Sequence, residues 1–248
     1  MRYAIALLLT IRVCPAQTTD EDREVSWKKL IPNILEDQKR IWTFPVHIAK
    51  GNDLVPVALF SGVTAGLVFG ADPPVAHYFR NTNDFHGFNQ VFSSTNTTLA
   101  TLAVPLAMYG TGLIRKDSKM TNTALLIGEA VADSEVVLEV LKPAVARVRP
   151  SDLPPNASFK DTWSEGGNRF SASHNSFPSG HAIAAFSVAT VVSRRYGRQH
   201  RWVPIVAYGA AAAIGFSRLT LSAHYLSDVF VGGALGYSIS RFAVLRQY

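Results

Sequence analysis

The sequence predicts an all-α protein, a bundle of about six helices with its functional residues gathered at one end. Hydrophobic residues make up 48% of the 248-residue chain and concentrate in six stretches. The length of these stretches and their Ala, Leu and Val content are typical of helices and not of strands. Gly and Pro stand between them, as at Asp72-Pro73-Pro74 and Pro178-Ser179-Gly180, where they favour turns.

The six predicted helices follow one another without a linker or a repeat. They cover about residues 54–71, 91–114, 120–141, 181–193, 202–217 and 224–245. Residues 151–177 are rich in Ser, Asn, Asp and Gly, which predicts a long surface loop. Because no composition break divides the chain, we expect one helical domain over residues 54–248.

Residues 1–53 are predicted to lie outside this domain. Residues 1–16 combine Arg2, an apolar run and small residues at Cys14-Pro15-Ala16, which is typical of a cleaved secretory signal. A buried N-terminal helix is the alternative. Residues 17–53 are predicted to be an amphipathic segment, with a helix over about 29–44 that carries Trp42 and Phe44. Cys14 is the only cysteine, so loss of the signal would exclude disulfides and thiolate metal sites.

The net charge of +6 points to an anionic partner. Nucleic acid is not expected, because the chain shows no basic helix and no basic patch interleaved with aromatic residues. An anionic membrane surface or an anionic substrate explains the charge better. The sequence makes no prediction of oligomeric state.

Membrane and soluble interpretations both remain open. A span needs about 20 apolar residues, which the second stretch provides and the first nearly provides. The third stretch carries four acidic residues, which are costly in lipid unless they face the bundle interior. They are Glu129, Asp133, Glu135 and Glu139. A soluble periplasmic or secreted bundle is therefore the alternative.

Charge asymmetry favours the membrane interpretation. If the helices alternate in direction, basic residues gather at the end opposite the functional clusters. They are Arg115, Lys116, Lys119, Arg194, Arg195, Arg198, Arg201, Arg241 and Arg246. Such an end is expected to be cytoplasmic, which predicts a bacterial inner-membrane protein whose site faces the periplasm. Six spans then require a cytoplasmic N-terminus, which conflicts with a cleaved signal.

Three short clusters carry the candidate chemistry. Their members are Lys142 with Arg149-Pro150, then Pro178-Ser179-Gly180-His181, then Ser217-Arg218 with His224 and Asp228. His224 and Asp228 are four residues apart, so on a helix the carboxylate can bond one ring nitrogen and leave the other free to attack. His181 stands where a leaving oxygen would need a proton. Taken alone, the His/Asp pair would be an incidental surface pair.

Lys142, Arg149 and Arg218 are candidate ligands for three phosphoryl oxygens. Ser179 adds a hydroxyl donor, and Gly180 lets the backbone N–H groups at a helix start approach an anion. The alternative for Ser179 is a plain helix N-cap. Weaker candidates are Glu135 and Glu139, which would steady Lys142, and the loop residues Trp163 and His174, which would touch substrate.

These clusters resemble the signature of the type 2 phosphatidic acid phosphatase and vanadium haloperoxidase superfamily. The chain reads K-x6-RP, PSGH and SR-x5-H-x3-D without a departure at any fixed position. The resemblance implies a helical bundle and a two-step reaction without metal. His224 would form a phosphohistidine, His181 would protonate the leaving group and then activate water, and Asp228 would orient His224. The remaining five residues, Lys142, Arg149, Ser179, Gly180 and Arg218, would hold the phosphoryl oxygens.

We therefore predict a metal-independent phosphatase for a phosphorylated lipid or a small phosphoester. A vanadium-dependent haloperoxidase is the alternative enzyme, and vanadate would be its only cofactor. The alternative that is not an enzyme is a catalytically inactive membrane protein that binds phosphate or lipid. The modest length favours the phosphatase, and the intact His224, His181 and Asp228 disfavour the inactive protein.

Overall fold

The computed structural model describes residues 24–154, 157–159, 162–163 and 175–246. The predicted signal at residues 1–16, the first residues of the amphipathic segment and His174 lie outside these ranges. Nine α-helices are found in the described residues. They are α1 (Leu30–Ala49), α2 (Leu54–Gly66), α3 (Asp72–Asn81), α4 (His86–Val91), α5 (Ser94–Arg115), α6 (Ser118–Val145), α7 (Gly180–Tyr196), α8 (Trp202–Thr220) and α9 (Leu226–Ser238).

The prediction of an all-α fold is confirmed. Within the described ranges the only extended pairing is an isolated antiparallel bridge between Val148 and Asn175. Each of the six predicted stretches corresponds to a long helix, and α1 covers the predicted helix over 29–44. A π-helical segment, Ile239–Val244, continues α9.

The first predicted helix is longer than expected, and the turn predicted at Asp72-Pro73-Pro74 is wrong. A π-helical segment, Leu67–Ala71, joins α2 to α3, so that the helix continues to Asn81. Proline lacks an N–H group but is tolerated in a first helical turn. The wider π-helical turn before Pro73 accommodates the missing hydrogen bonds.

The third helix extends beyond the predicted stretch at about 120–141. Helix α6 ends at Val145, and Ala146 adopts a left-handed conformation with φ 50°. Pro150 begins a short 3-10 turn, Pro150–Asp152. The chain therefore leaves the helix between Lys142 and Arg149, which places these two cations on different backbone segments.

Helix α7 lies at the centre and packs against α5, α6, α8 and α9. The outer helices expose large apolar side chains, including Phe69 at 82% and Ile114 at 85% of full exposure. Three helical segments are long and apolar enough to cross a membrane, namely Leu54–Asn81, Ser94–Arg115 and Trp202–Thr220. The expectation of membrane-crossing helices is confirmed for these three.

Helix α1 turns part of its polar side chains inward. Asn33 Nδ2 donates to Glu129 Oε1 at 2.8 Å and Gln38 Nε2 donates to Asp133 Oδ1 at 2.9 Å, whereas Glu36 and Lys39 are exposed. Trp42 remains exposed. Glu129 and Asp133 are fully buried, so these two acidic residues of α6 face the interior as a lipid environment requires.

Helices α7 and α9 approach each other closely through glycine. A Cβ atom on Gly236 would lie 2.2 Å from the carbonyl oxygen of Ile183, and one on Gly232 would lie 2.7 Å from that of Ser179. Small residues allow this backbone contact. The start of α7, with its Ser179-Gly180-His181 sequence, is thereby held directly against α9.

Candidate active site

The structure gathers the three clusters at one end of the bundle. Lys142 lies in the last turn of α6, Gly180 and His181 form the first turn of α7, and Arg218 lies in the last turn of α8. His224 lies in the loop between α8 and α9. The α5–α6 and α7–α8 turns lie together at the other end of the bundle, because Lys119 Nζ at the start of α6 donates to Gln199 Oε1 between α7 and α8 at 2.9 Å.

Backbone hydrogen bonds tie the connecting segments of the site together. The N–H of Ser179 donates to the carbonyl of Asp228 at 3.1 Å, which joins the start of α7 to that of α9. The N–H of Ser151 donates to the carbonyl of Ser222 at 2.9 Å. These bonds fix the site residues relative to one another.

His224 is buried and has a defined tautomer. Its Nδ1 lies 2.6 Å from the carbonyl oxygen of Ser176, which can only accept, so Nδ1 carries the proton. The Nε2 lone pair is then available for attack. The nearest oxygen of Asp228 is 3.8 Å from Nδ1, so the direct bond predicted between them does not form. His224 also precedes the first residue of α9, and the pair does not share a helical face.

Asp228 acts on His224 by charge and through Ser176. The hydroxyl of Ser176 and the N–H of Tyr225 both donate to Asp228 Oδ2, the latter at 2.8 Å. Burial raises the pKa of Asp228, but the nearby His224 ring, the charge of Arg147 and the hydrogen bond from Ser176 outweigh it and lower the pKa overall. Burial lowers the pKa of His224 despite the nearby carboxylate, which keeps the imidazole neutral.

His181 points toward the first turn of α5. Its Nε2 lies 3.1 Å from Thr98 Oγ1 and 3.2 Å from the carbonyl oxygen of Ser94, so Nε2 carries a proton. Burial, with the charges of Arg218, His224 and Arg149, lowers the pKa of His181 to about 4, although the bond to Ser94 opposes the shift. A bound phosphate would bring negative charge beside the ring and raise this pKa again.

Arg218 is fully buried and shares Ser94 with His181. Its Nη1 donates to Ser94 Oγ at 2.9 Å, and its Nη2 donates to the carbonyl of Phe92 at 2.6 Å. The segment that precedes and begins α5 therefore forms one wall of the site.

Two predicted phosphate ligands present donors without a partner. Ser179 Oγ and Arg149 Nε are buried and have no hydrogen-bond partner among the described residues. Ser179 is the N-cap of α7 by position, but its side chain makes no capping bond. An unsatisfied buried donor is costly unless a ligand takes it up, so both atoms are suited to a phosphoryl oxygen.

The pKa of Lys142 is lowered overall, although neighbouring charges act on it in both directions. Burial and the charge of Arg149 lower its pKa, whereas the carboxylates of Glu135 and Glu139 raise it. The expectation that acidic residues of α6 steady Lys142 stays a prediction. Arg149 also acts on the pKa of His181 and of His224, so its charge lies near both histidines.

Five residues of the site belong to none of the three sequence clusters and were not expected there. They are Asp72, Ser94, Thr98, Arg147 and Ser176. Trp163 lies with its ring centroid 4.2 Å from the guanidinium carbon of Arg147, and its predicted contact with substrate stays a prediction. Within the described part of the chain, no three His, Cys, Asp or Glu side chains come together as metal ligands.

The chain is similar to known proteins in sequence and in fold. A family model described as the PAP2 superfamily matches residues 123–248, which is just over half of the chain. A lipid A 1-phosphatase from Porphyromonas gingivalis is 40% identical over 62 residues, 25% of this chain and 14% of the relative. The match thus spans about one seventh of that protein's length.

Two solved structures are similar to the chain at 21% identity. One is a transmembrane PAP2-type phosphatidylglycerolphosphate phosphatase from Bacillus subtilis, with a TM-score of 0.44 over 87% of this chain and 94% of that one. The other is LpxE from Aquifex aeolicus, with a TM-score of 0.41 over 74% of this chain and 93% of that one.

Proposed function

Because the chain belongs to the PAP2 superfamily, we propose that it is a membrane phosphatase that removes phosphate from a phosphorylated lipid. The tautomer of His224 carries the proposal. The Ser176 carbonyl holds the proton on Nδ1, which leaves Nε2 as a nucleophile. The similarity to a lipid A 1-phosphatase and the three apolar helices support a lipid substrate.

The reaction takes place in two steps at phosphorus. In the first, His224 Nε2 forms a bond to phosphorus while the bond to the leaving oxygen breaks, and His181, protonated once the phosphate is bound, gives a proton to that oxygen and becomes neutral. In the second, His181 takes a proton from water, the hydroxide displaces the imidazole, and inorganic phosphate leaves. No metal takes part in this scheme.

Cations and free donors stabilise the charge that gathers on the phosphoryl oxygens in both steps. Lys142, Arg149 and Arg218 bind the three oxygens, and the Ser179 hydroxyl and the N–H of Gly180 add hydrogen bonds. Preorganised donors of this kind are often the largest contribution to catalysis, since they need no reorganisation during the reaction.

The site faces away from the cytoplasm in this proposal. The turns α5–α6 and α7–α8 lie together at the end opposite His224 and carry Lys116, Lys119 and Arg198 among other basic residues. An excess of Lys and Arg in short loops is expected on the cytoplasmic side.

Phosphate release by the purified full chain in detergent tests the proposal. The substrate is a chromogenic aryl phosphate with a chelator present, and the variants are His224→Ala and, as a matched control, His200→Ala at the opposite end. We expect release by the parent and by His200→Ala only. The values of kcat/KM are then measured for a panel of lipid phosphates in mixed micelles and for glycerol phosphate as the small substrate. Release by His224→Ala at the parental rate would refute the nucleophile, and preference for glycerol phosphate would refute the lipid substrate.

A further inference from the structure

Arg147 is 1% exposed and lies between two fully buried carboxylates, those of Asp72 and Asp228. We propose that Arg147 and Asp72 are positioning residues for the nucleophile, an inference that rests on the proposed function. They hold the Asp228–Ser176 pair that orients the imidazole of His224.

The guanidinium of Arg147 is held by almost all of its donors. Its Nη1 donates to Asp228 Oδ1 at 2.6 Å and to Ser227 Oγ at 2.8 Å. Its Nη2 donates to Asp72 Oδ2 at 2.7 Å, and its Nε donates to Thr162 Oγ1 at 3.1 Å. Four of the five N–H groups of an arginine thus have partners, which fixes the plane of the group.

Aromatic rings cover the guanidinium of Arg147. Its central carbon lies 3.7 Å from the centroid of the Tyr225 ring and 4.2 Å from that of Trp163. Stacking of this kind suits arginine and not lysine, because the guanidinium is planar and weakly hydrated. The rings also exclude water, which strengthens the two ion pairs.

Arg147 reaches His224 by two routes through Ser176. Asp228, held by Arg147, accepts the Ser176 hydroxyl through its other oxygen, Oδ2. The carbonyl of Arg147 accepts the N–H of Ser176 at 2.7 Å. The third polar group of Ser176, its carbonyl, accepts the hydrogen bond from the Nδ1–H group of His224. Displacement of Arg147 would therefore move the acceptor that sets the tautomer.

Asp72 fixes the other side of the same unit. It comes from α3 and accepts the N–H of Ser227 at 2.9 Å and the Ser227 hydroxyl, so it holds the first turn of α9 next to Asp228. With both carboxylates ionised, Asp72, Arg147 and Asp228 carry a net charge of −1. That charge favours the imidazolium that develops as His224 bonds to phosphorus.

A purely structural role for Arg147 is the alternative, since buried ion pairs are often replaceable by apolar residues. Four variants distinguish the two: Arg147→Met, Arg147→Lys, Asp72→Asn and the double variant Asp72→Asn/Arg147→Met. Arg40→Met, which removes an exposed ion pair with Glu36 on α1, is the matched control. For each variant, kcat, KM, the pH profile of kcat/KM and the thermal midpoint in detergent are measured with the aryl phosphate.

We expect Arg147→Met to lower kcat by about 100-fold, or ~2.7 kcal/mol at 1.36 kcal/mol per tenfold change, with little change in KM. Arg147→Lys should lose less kcat than Arg147→Met, because it keeps the positive charge. The recovery should be only partial, because one ammonium group cannot bond both carboxylates. The double variant should be more thermally stable than Arg147→Met, because Asp72 no longer leaves a buried carboxylate without its cation. Its kcat should stay as low as that of Arg147→Met.

The acid limb of the pH profile separates positioning from stability. The charged or titratable groups that face Asp228 are His224, Tyr225, Arg147, Arg149 and Asp72. Loss of the Arg147 cation lets Asp228 take up a proton at higher pH, so the acid limb moves upward. In Asp72→Asn the charge of Arg147 acts on Asp228 alone, so the limb moves downward.

Either of two results would overturn the inference. One is an Arg147→Met enzyme with kcat within about threefold of the parent and an unshifted acid limb. The other is a double variant that regains both stability and kcat, which would show that Arg147 only balances charge. If Arg147→Met does not fold, the near-isosteric Asp72→Asn decides, and an unshifted acid limb there overturns the inference. An inactive parent would instead contradict the proposed phosphatase.

Discussion

Replacement of Gly232 by alanine tests whether helix packing sets the geometry of the phosphate-binding turn. Gly232 lies in α9 against the turn that begins α7. A Cβ atom there would lie 2.7 Å from the carbonyl oxygen of Ser179 and 3.2 Å from Ala182 Cβ. The first distance is about 0.7 Å shorter than the 3.4 Å at which ordinary contacts begin. The obstacle is backbone, so the start of α7 must move away from α9.

The expected loss of kcat depends on the site residues in the first turn of α7. Ser179, Gly180 and His181 move with it, and the bond from the Ser179 N–H to the Asp228 carbonyl lengthens. A misplacement of about 1 Å costs on the order of 100-fold in rate. We therefore expect Gly232→Ala to lower kcat by roughly 10- to 100-fold, with a stability loss of about 1–3 kcal/mol from overpacking.

The assay is phosphate release from the aryl phosphate, with thermal unfolding in detergent measured on the same preparation. Gly209→Ala is the control, because Gly209 lies within α8 and no atom lies within 4 Å of its added Cβ. The control should retain its activity and gain up to ~1 kcal/mol from helix propensity. Parental kcat in folded Gly232→Ala would show that this helix contact does not set the geometry of the site, and an equal loss in Gly209→Ala would show that the effect is not specific to Gly232.

Three further predictions concern the candidate catalytic residues. His181→Ala should slow release of an alkyl alcohol about 10²- to 10⁴-fold but affect a nitrophenyl phosphate far less; equal losses on the two substrates would count against a general acid. Because the pKa of His181 is lowered to about 4, its protonated fraction in the free enzyme grows as the pH falls from 8 to 5. The ratio of kcat/KM for alkyl over aryl phosphate should therefore rise over that range, and a flat ratio would contradict this assignment. Asp228→Asn should lower kcat about 100-fold, by analogy with the orienting Asp of other histidine-based sites, whereas a loss in KM alone would indicate a role in binding.

Much of the fold could be predicted because apolar helices leave a direct pattern in the sequence. The helix through Pro73 and Pro74 could not, because proline favours a break in most contexts. A π-helical segment before it, which has no sequence signature, removes the conflict. The end of α6 was also missed, since Ala146 gives no sign that it adopts a positive φ.

The candidate site shows a similar division. The eight candidate site residues among the eleven members of the three clusters could be named because their identities and spacing match a known signature, and their catalytic roles stay predictions. Arg147 could not be singled out, because nothing in the sequence separates a buried arginine from its basic neighbours. Asp72 lies 75 residues away from Arg147. Ser176 acts through a carbonyl that every residue possesses.

The pairing of Asp72 with Arg147 has a consequence for the order in which the membrane protein is made. The two residues are 75 positions apart, which corresponds to an interval of about 4–15 s at ~5–20 residues per second. Throughout that interval the segment Leu54–Asn81, which has the highest hydropathy of the three apolar segments, carries a carboxyl group whose cation has not yet been synthesised. Such a group is costly in lipid. We therefore expect this segment to settle fully in the bilayer only after the second half of the chain has emerged from the ribosome.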